Sequence, residues 1–468
     1  MARPEEAMRA PRRGALLLLP LLLILFLFFL TPPAGLGVPA YRAMLVAAAA
    51  IVLWTSEALP AGVTSILLVL LLDLTGAAPS LSAALSGFSS PVAYFLIGVL
   101  TLGIAVEKVG LAERLARFFL RRAGGRRLSL FWQMILSFPL LTFLLPSATT
   151  RSGILAHVYD RALSMSGVGK GAPLARAIMM ALNSINRLAS TALLTGGITP
   201  IVAAALIGGI GWGRWFTLLA PPYYLTLAIG SGAIHLLYLR GEAGDLPAPA
   251  DERPPFAADE IRTGAIVLGA SLLWLTDAFH HLHPALPALL GWALLLAPGI
   301  GVLTWKEFET RFPWANFFIL ASSLSLGRAL VETGAAKWLA HWLIGLAPAL
   351  ASRPYFLLAA ILLSTVPIRI LIPNITGFLA IMIPIGMEMG LAGGLNPLVC
   401  GLGVMIMGDT VLFYPAQSAS SLVVYERGHL RAGEIFRFGV FMTAVAFAVT
   451  MTFNLIWWRA MGMNWAGG

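Results

Sequence analysis

Along most of the chain, apolar residues run in windows of about 20, the length a helix needs to cross a hydrocarbon core of roughly 30 Å. These windows predict helical spans near 14–30, 41–59, 61–76, 90–110, 174–193, 214–239, 261–280, 284–303, 314–334, 396–412 and 434–460. Two further apolar stretches, 129–165 and 354–392, are interrupted by proline and small polar residues. The interruptions read Pro146-Ser147-Ala148-Thr149-Thr150 and Pro373-Asn374-Ile375-Thr376-Gly377. Half-length helices that meet at a polar tip predict a re-entrant hairpin. The predicted fold is therefore an all-α polytopic membrane protein, with about 11 transmembrane helices and two re-entrant hairpins in an inverted repeat.

The repeat is visible in the residues. Phe88–Ala116 aligned with Phe312–Ala340, an offset of 224, gives ten identities in 29 columns without a gap, among them Gly110/Gly334 and Ala112/Ala336. The two hairpin tips follow at an offset of 227. After the first aligned helix come Arg114, Arg117, Arg121, Arg122, Arg126 and Arg127, whereas the matching stretch of the second half has only Lys337 and Arg353. The positive-inside rule then makes the first stretch cytoplasmic and the second external. Related halves of opposite orientation mark an inverted-repeat secondary transporter. The expected organisation is an N-terminal segment with the first span (1–40), a first repeat (41–240) with a cytoplasmic-side hairpin at 129–165, a cytoplasmic linker (241–260), and a second repeat (261–468) with an external-side hairpin at 354–392. The N-terminus, preceded by Arg12 and Arg13 before its apolar run, is expected in the cytoplasm of a cell (inner) membrane protein.

Composition agrees: 59% of the 468 residues are hydrophobic and 11% charged, against roughly 25% charged in soluble domains. The net charge of +10 is placed by this reading in cytoplasmic loops rather than on a nucleic-acid-binding face. One cysteine, Cys400, excludes a disulfide scaffold. No HExxH, GxSxG or Walker A pattern occurs, which argues against a membrane protease, a hydrolase and an ATP-driven pump.

The chemistry is expected at the breaks. A broken helix in lipid leaves backbone groups unpaired unless protein or a water-filled cavity receives them. Ser147, Thr149, Asn374 and Thr376 are types that cap helix starts, and the free N–H groups with the helix dipole attract an anion. A second symmetric pair of breaks lies at Thr195–Pro200 and Pro415–Ser421. The anion-site candidates are Ser147, Thr149, Thr150, Arg151, Asn374, Thr376, Thr199 and Ser420. Carbonyls of the unwound segments suit a small cation such as Na⁺ as coupling ion, with Ser147, Asn374, Gly196 and Ala416 as candidate ligands. Arg187 and Arg328 are open between a functional role and pairing with Asp409 or Glu332 or reaching an interface, and Arg369 is placed toward the external surface. His157 and Asp160 are either a proton-handling pair or an interface contact, while His280, His281 and His283 read as a loop.

These residues resemble the divalent anion:sodium symporter family, within the wider ion-transporter superfamily. Trp54-Thr55-Ser56-Glu57-Ala58-Leu59-Pro60 is similar to its early Trp-x-x-Glu-x-x-Pro stretch, and Gly87–Pro91 with Glu107–Leu111 to its fourth span. Trp314–Gly334 and Asp409–Tyr425 are similar to the matching parts of the second half. The family's Ser-Asn-Thr tip is only partly kept: Ala148 and Ile375 stand where it has asparagine, and Asn374 where it has the second serine. The resemblance implies a homodimer in which a scaffold supports a moving, elevator-type transport domain carrying a di- or tricarboxylate or sulfate. The loss of both asparagines bears on dicarboxylate specificity and Na⁺ coupling, and Arg151 is a candidate to supply positive charge instead. Two alternatives remain: a cation/proton antiporter using Asp409 and His157, or an integral membrane enzyme using His157 and Asp160.

Overall fold

A computed structural model describes residues 20–56, 58–208, 210–242, 244–246 and 255–466. Glu57, residues 14–19 of the first expected span and residues 243 and 247–254 of the 241–260 linker lie outside the described residues. Helices dominate, and among the described residues strand pairing is limited to two isolated bridges, Arg126 with Asp245 and Leu395 with Ala466.

Among the described residues, seven helices are long and apolar enough to cross a membrane, or eight if a bent pair, Ile198–Ile207 with Trp212–Leu239, counts as one. The expected eleven windows nearly all hold a helix, but several are short or broken. Ala61–Leu74, Ala285–Leu296 and Pro397–Thr410 are 14, 12 and 14 residues long. The window at 174–193 is a composite: Pro173–Met180, a π-turn at Ala181–Ile185, then Asn186–Thr191. Apolar length alone does not register such interruptions, since a π-turn changes the backbone pairing and not the hydropathy. Many large apolar side chains point outward, including Leu136, Leu268, Leu272, Leu290, Leu371 and Ile456, as a lipid-facing surface requires.

Helix starts follow the local chemistry. Ser90 Oγ accepts from the Val92 N–H at 3.3 Å with Pro91 as the first helical residue, and Asn396 Oδ1 accepts from Leu398 N–H at 3.0 Å ahead of Pro397. Gly110 and Gly334, the pair aligned in sequence, both take left-handed backbone (φ 77° and 79°) and turn the chain into the short helices Leu111–Arg122 and Ala335–Gly345.

The Arg-rich helix Leu111–Arg122 is tied to the end of the linker. Arg114 Nε and Nη2 each donate at 2.8 Å to the Glu260 carboxylate, a fork-to-fork pair. This pairing holds the Glu260 carboxyl below its ordinary value. Arg127 donates to Glu242 at 2.6 Å, and the Leu246 N–H to the Gly125 carbonyl at 2.6 Å. The basic stretch and the described ends of the linker therefore lie on one side of the molecule.

Each hairpin consists of two 18-residue arms joined by a short break: Arg127–Leu144 and Ala148–Met165 around 145–147, Pro354–Leu371 and Ile375–Ala392 around 372–374. The arms are thus longer than the half-length helices expected, since 18 residues span about 27 Å. The interior prolines Pro139 and Pro367 interrupt hydrogen bonding within the arriving arms without ending them.

Candidate functional site: two broken tips around one cavity

Both breaks open onto a single cavity of about 740 Å³. Ser147, Thr149, Asn374, Thr376, Thr199, Ser420 and Ala416 all line it. The departing arms begin at this wall. Ser147 Oγ accepts from the Thr150 N–H at 3.3 Å, and Asn374 Oδ1 from the N–H groups of Thr376 at 3.0 Å and Gly377 at 3.2 Å. Two helix N-termini, with their dipoles and remaining free N–H groups, thus point at one space. The other two breaks contribute Gly197 and Thr199 on one side and Ala416 through Ser420 on the other.

Thr150, Arg151 and Gly196 are not at this wall. Gly196 packs against the backbone of Ser190, where a Cβ would come within 1.9 Å of the carbonyl oxygen, so it closes the turn. Arg151 is fully buried behind the tip. Its Nε donates to Asn186 Oδ1 at 2.7 Å, Nη1 to the Leu145 carbonyl at 3.0 Å, and Nη2 to the Asn186 carbonyl at 3.0 Å and to Ser190 Oγ. The two-residue step from Thr149 to Arg151 suggests a tip position, but a helical turn rotates Arg151 away from the cavity and onto the neighbouring broken helix.

Arg369 does not reach a surface either, being 1% exposed. Its Nε donates to the Gly408 carbonyl at 3.0 Å, and Nη1 to the carbonyls of Ile372 at 2.6 Å and Pro373 at 2.7 Å. Gln417 braces the same place, with Nε2 on the Arg369 carbonyl at 3.1 Å and Oε1 accepting from Phe413 N–H at 2.8 Å.

Arg187 differs from both. Like Arg369 it lines the cavity, and it is 8% exposed, yet its Nε and Nη2 donate to no protein atom. Asp409 lines the same cavity and accepts from Thr191 Oγ1 at 2.7 Å. A buried guanidinium with idle N–H groups is costly unless something else receives them. The signal was present in the sequence as the polar run Asn183, Ser184, Asn186, Arg187, Ser190 and Thr191 inside an apolar window.

The remaining candidates sort cleanly. Arg328 pairs with Glu332 at 3.8 Å, on the surface. Asp160 pairs with His429 at 2.8 Å and Arg427 at 3.9 Å rather than with His157. His280 Nε2 meets the Leu273 carbonyl at 2.7 Å and His283 Nδ1 accepts from Ala285 N–H at 3.1 Å, both local turn contacts. Among the described residues no group of three His, Cys, Asp or Glu side chains is arranged to hold a metal ion.

A bundle of apolar helices with paired internal breaks around one polar cavity is the architecture of a polytopic membrane transporter. The sequence profile of the sodium:sulfate symporter transmembrane region matches residues 12–464, and the chain belongs to that family. Its members are transporters, not enzymes. The chain is 23% identical to a putative malate transporter of Bacillus subtilis over 97% of this chain and 98% of that one. It is 22% identical to an L-tartrate/succinate antiporter of Escherichia coli over 81% of each chain. Among solved structures, the YdaH transporter of Alcanivorax borkumensis shares the fold, with a TM-score of 0.53 at 15% identity, covering 81% of this chain and 87% of that one.

Proposed function

We propose that the protein carries a small dianion, a dicarboxylate first and sulfate second, across the cell membrane by alternating access. The observation that carries this reading is the meeting of both tips at one cavity that Arg187 also lines, its buried Nε and Nη2 donating to no protein atom. A carboxylate or sulfate oxygen pair matches a guanidinium edge, and the two helix N-termini supply further donors. Ser147, Thr149, Asn374, Thr376, Thr199 and Ser420 surround the anion in this reading. The named substrates of the relatives, malate, tartrate and succinate, are dicarboxylates and favour that class over sulfate.

In this reading the halves at 41–240 and 261–468 are inverted relatives, the N-terminus and the Arg-rich helix face the cytoplasm, and the protein works as a homodimer. The hairpins with their neighbouring broken helices move as an elevator against the remaining spans. Uptake of labelled succinate, malate and sulfate into proteoliposomes tests the assignment. Saturable succinate or malate uptake that Arg187→Gln weakens is the expected result. A protein that moves none of these anions would refute it.

A further inference from the structure

Broken helices in transporters release backbone carbonyls, and these are the oxygens that coordinate Na⁺ where a cation is coupled. Here those oxygens already face positive charge. Around Arg151 stand the carbonyls of Leu145 and Asn186, with Asn186 Oδ1 and Ser190 Oγ. Around Arg369 stand the carbonyls of Ile372, Pro373 and Gly408. Leu145 and Ile372 are equivalent at the offset of 227, so each tip has its released carbonyl bound by a buried guanidinium.

The two arginines are not themselves equivalent. At that offset Arg151 corresponds to Phe378 and Arg369 to Thr142, so the chain fills the same place from the departing arm in one half and the arriving arm in the other. The side-chain oxygens expected to hold Na⁺ are engaged as well: Ser147 Oγ and Asn374 Oδ1 accept backbone N–H groups as helix caps. The residues present do not fit a sodium ion, which at either tip would sit beside a fixed charge of its own sign.

We infer that Arg151 and Arg369 are built-in cations that replace coupling Na⁺ at the two tips, making the protein a Na⁺-independent anion exchanger. Exchange follows from the charge at the site. Arg187 and Arg369 at the cavity and Arg151 buried behind the first tip, against Asp409, leave a net charge of +2 around the site, and a dianion cancels it. A symporter releases its cations with its substrate and returns neutral, whereas these charges cannot leave. The empty site must therefore cross the bilayer with its charge uncompensated, so the loaded form crosses more readily.

The inference rests on the anion-carrier reading, and the experiment separates the two. Purified protein is reconstituted into vesicles either empty or loaded with unlabelled succinate, and uptake of labelled succinate is followed in sodium chloride and in choline chloride. The expected result is the same rate in both salts and a rate about 70-fold or more higher into loaded vesicles, the least that one uncompensated charge in the bilayer implies. Uptake that collapses in choline, or that runs equally fast into empty vesicles, overturns it. Should no dianion be transported, the carrier reading fails on its own, and thermal unfolding of the detergent-solubilised protein still decides the cation claim. An ion at about 100 times its Kd would shift the folding equilibrium about 100-fold. No difference between sodium and choline supports the arginines as resident cations, and a sodium-specific stabilisation overturns it.

Discussion

The two hairpin tips share a position in the repeat and differ in how they are held. The first is anchored outward: Arg151 leaves its own arm and grips Asn186 and Ser190 on the neighbouring broken helix, reaching back only once, to Leu145. The second is anchored inward: Arg369 folds onto the Ile372 and Pro373 carbonyls of its own break and adds one bond to Gly408. Arg151 is walled off from the cavity, whereas Arg369 lines it. The comparison teaches that a broken helix needs its carbonyls satisfied and is indifferent to which arm supplies the donor. It also assigns the first tip a structural lock and leaves the second open to cavity water.

That difference ranks the perturbations. Arg151→Met should be the most damaging, since it strands four buried acceptors with no water to replace the guanidinium; a loss of about 3–5 kcal/mol is expected, read as thermal unfolding in detergent. Arg369→Met should cost less, about 2–3 kcal/mol, because cavity water can reach its carbonyls. Equal losses would erase the contrast between the tips. Arg187→Gln should leave the unfolding temperature nearly unchanged and weaken anion affinity about 10- to 100-fold, because a charged hydrogen bond contributes roughly 1.5–3 kcal/mol. Thr149→Ala and Thr376→Ala should each lower affinity about 5-fold, the scale of one neutral hydrogen bond, with the double variant lower still.

The smallest effect lies far from the site. Lys108 Nζ donates to Glu307 at 2.7 Å and holds its carboxyl at about 2, below the ordinary 4.5. A carboxyl depressed in the folded state stabilises above its unfolded value, and that contribution disappears as pH falls through the folded one. Thermal unfolding temperature should therefore decline between pH 4.5 and about 2, and Glu307→Gln should remove part of the decline.

Much of this arrangement was legible in the chain. Proline with serine, asparagine and threonine in an apolar stretch carries its own meaning, because these residues stop one helix and cap the next, and both breaks lie where that chemistry puts them. Gly110 and Gly334 likewise mark turns that a side chain would strain. The arginines were harder. Arg369 stands near a helix end, where long cations usually reach water, and only the tertiary course of the break turns it back onto its own carbonyls. Arg151 is close to the tip in sequence and behind it in space, since its direction is set by helical phase and by Asn186, 35 residues away. Arg187 was named from the sequence but left open between function and structure, because its polar neighbours sit in a window whose average hydropathy reads as an ordinary span.

The account stands on one anion occupying the space between both tips, and a pair of single-cysteine variants tests this most directly. Cys400 is buried, so a cysteine placed at Thr149 or at Ile375, both cavity residues, can be read by a water-soluble thiol reagent. Succinate or malate should protect Thr149→Cys and Ile375→Cys alike, with the same half-protecting concentration. Protection of one tip without the other, or at unrelated concentrations, would contradict a shared site.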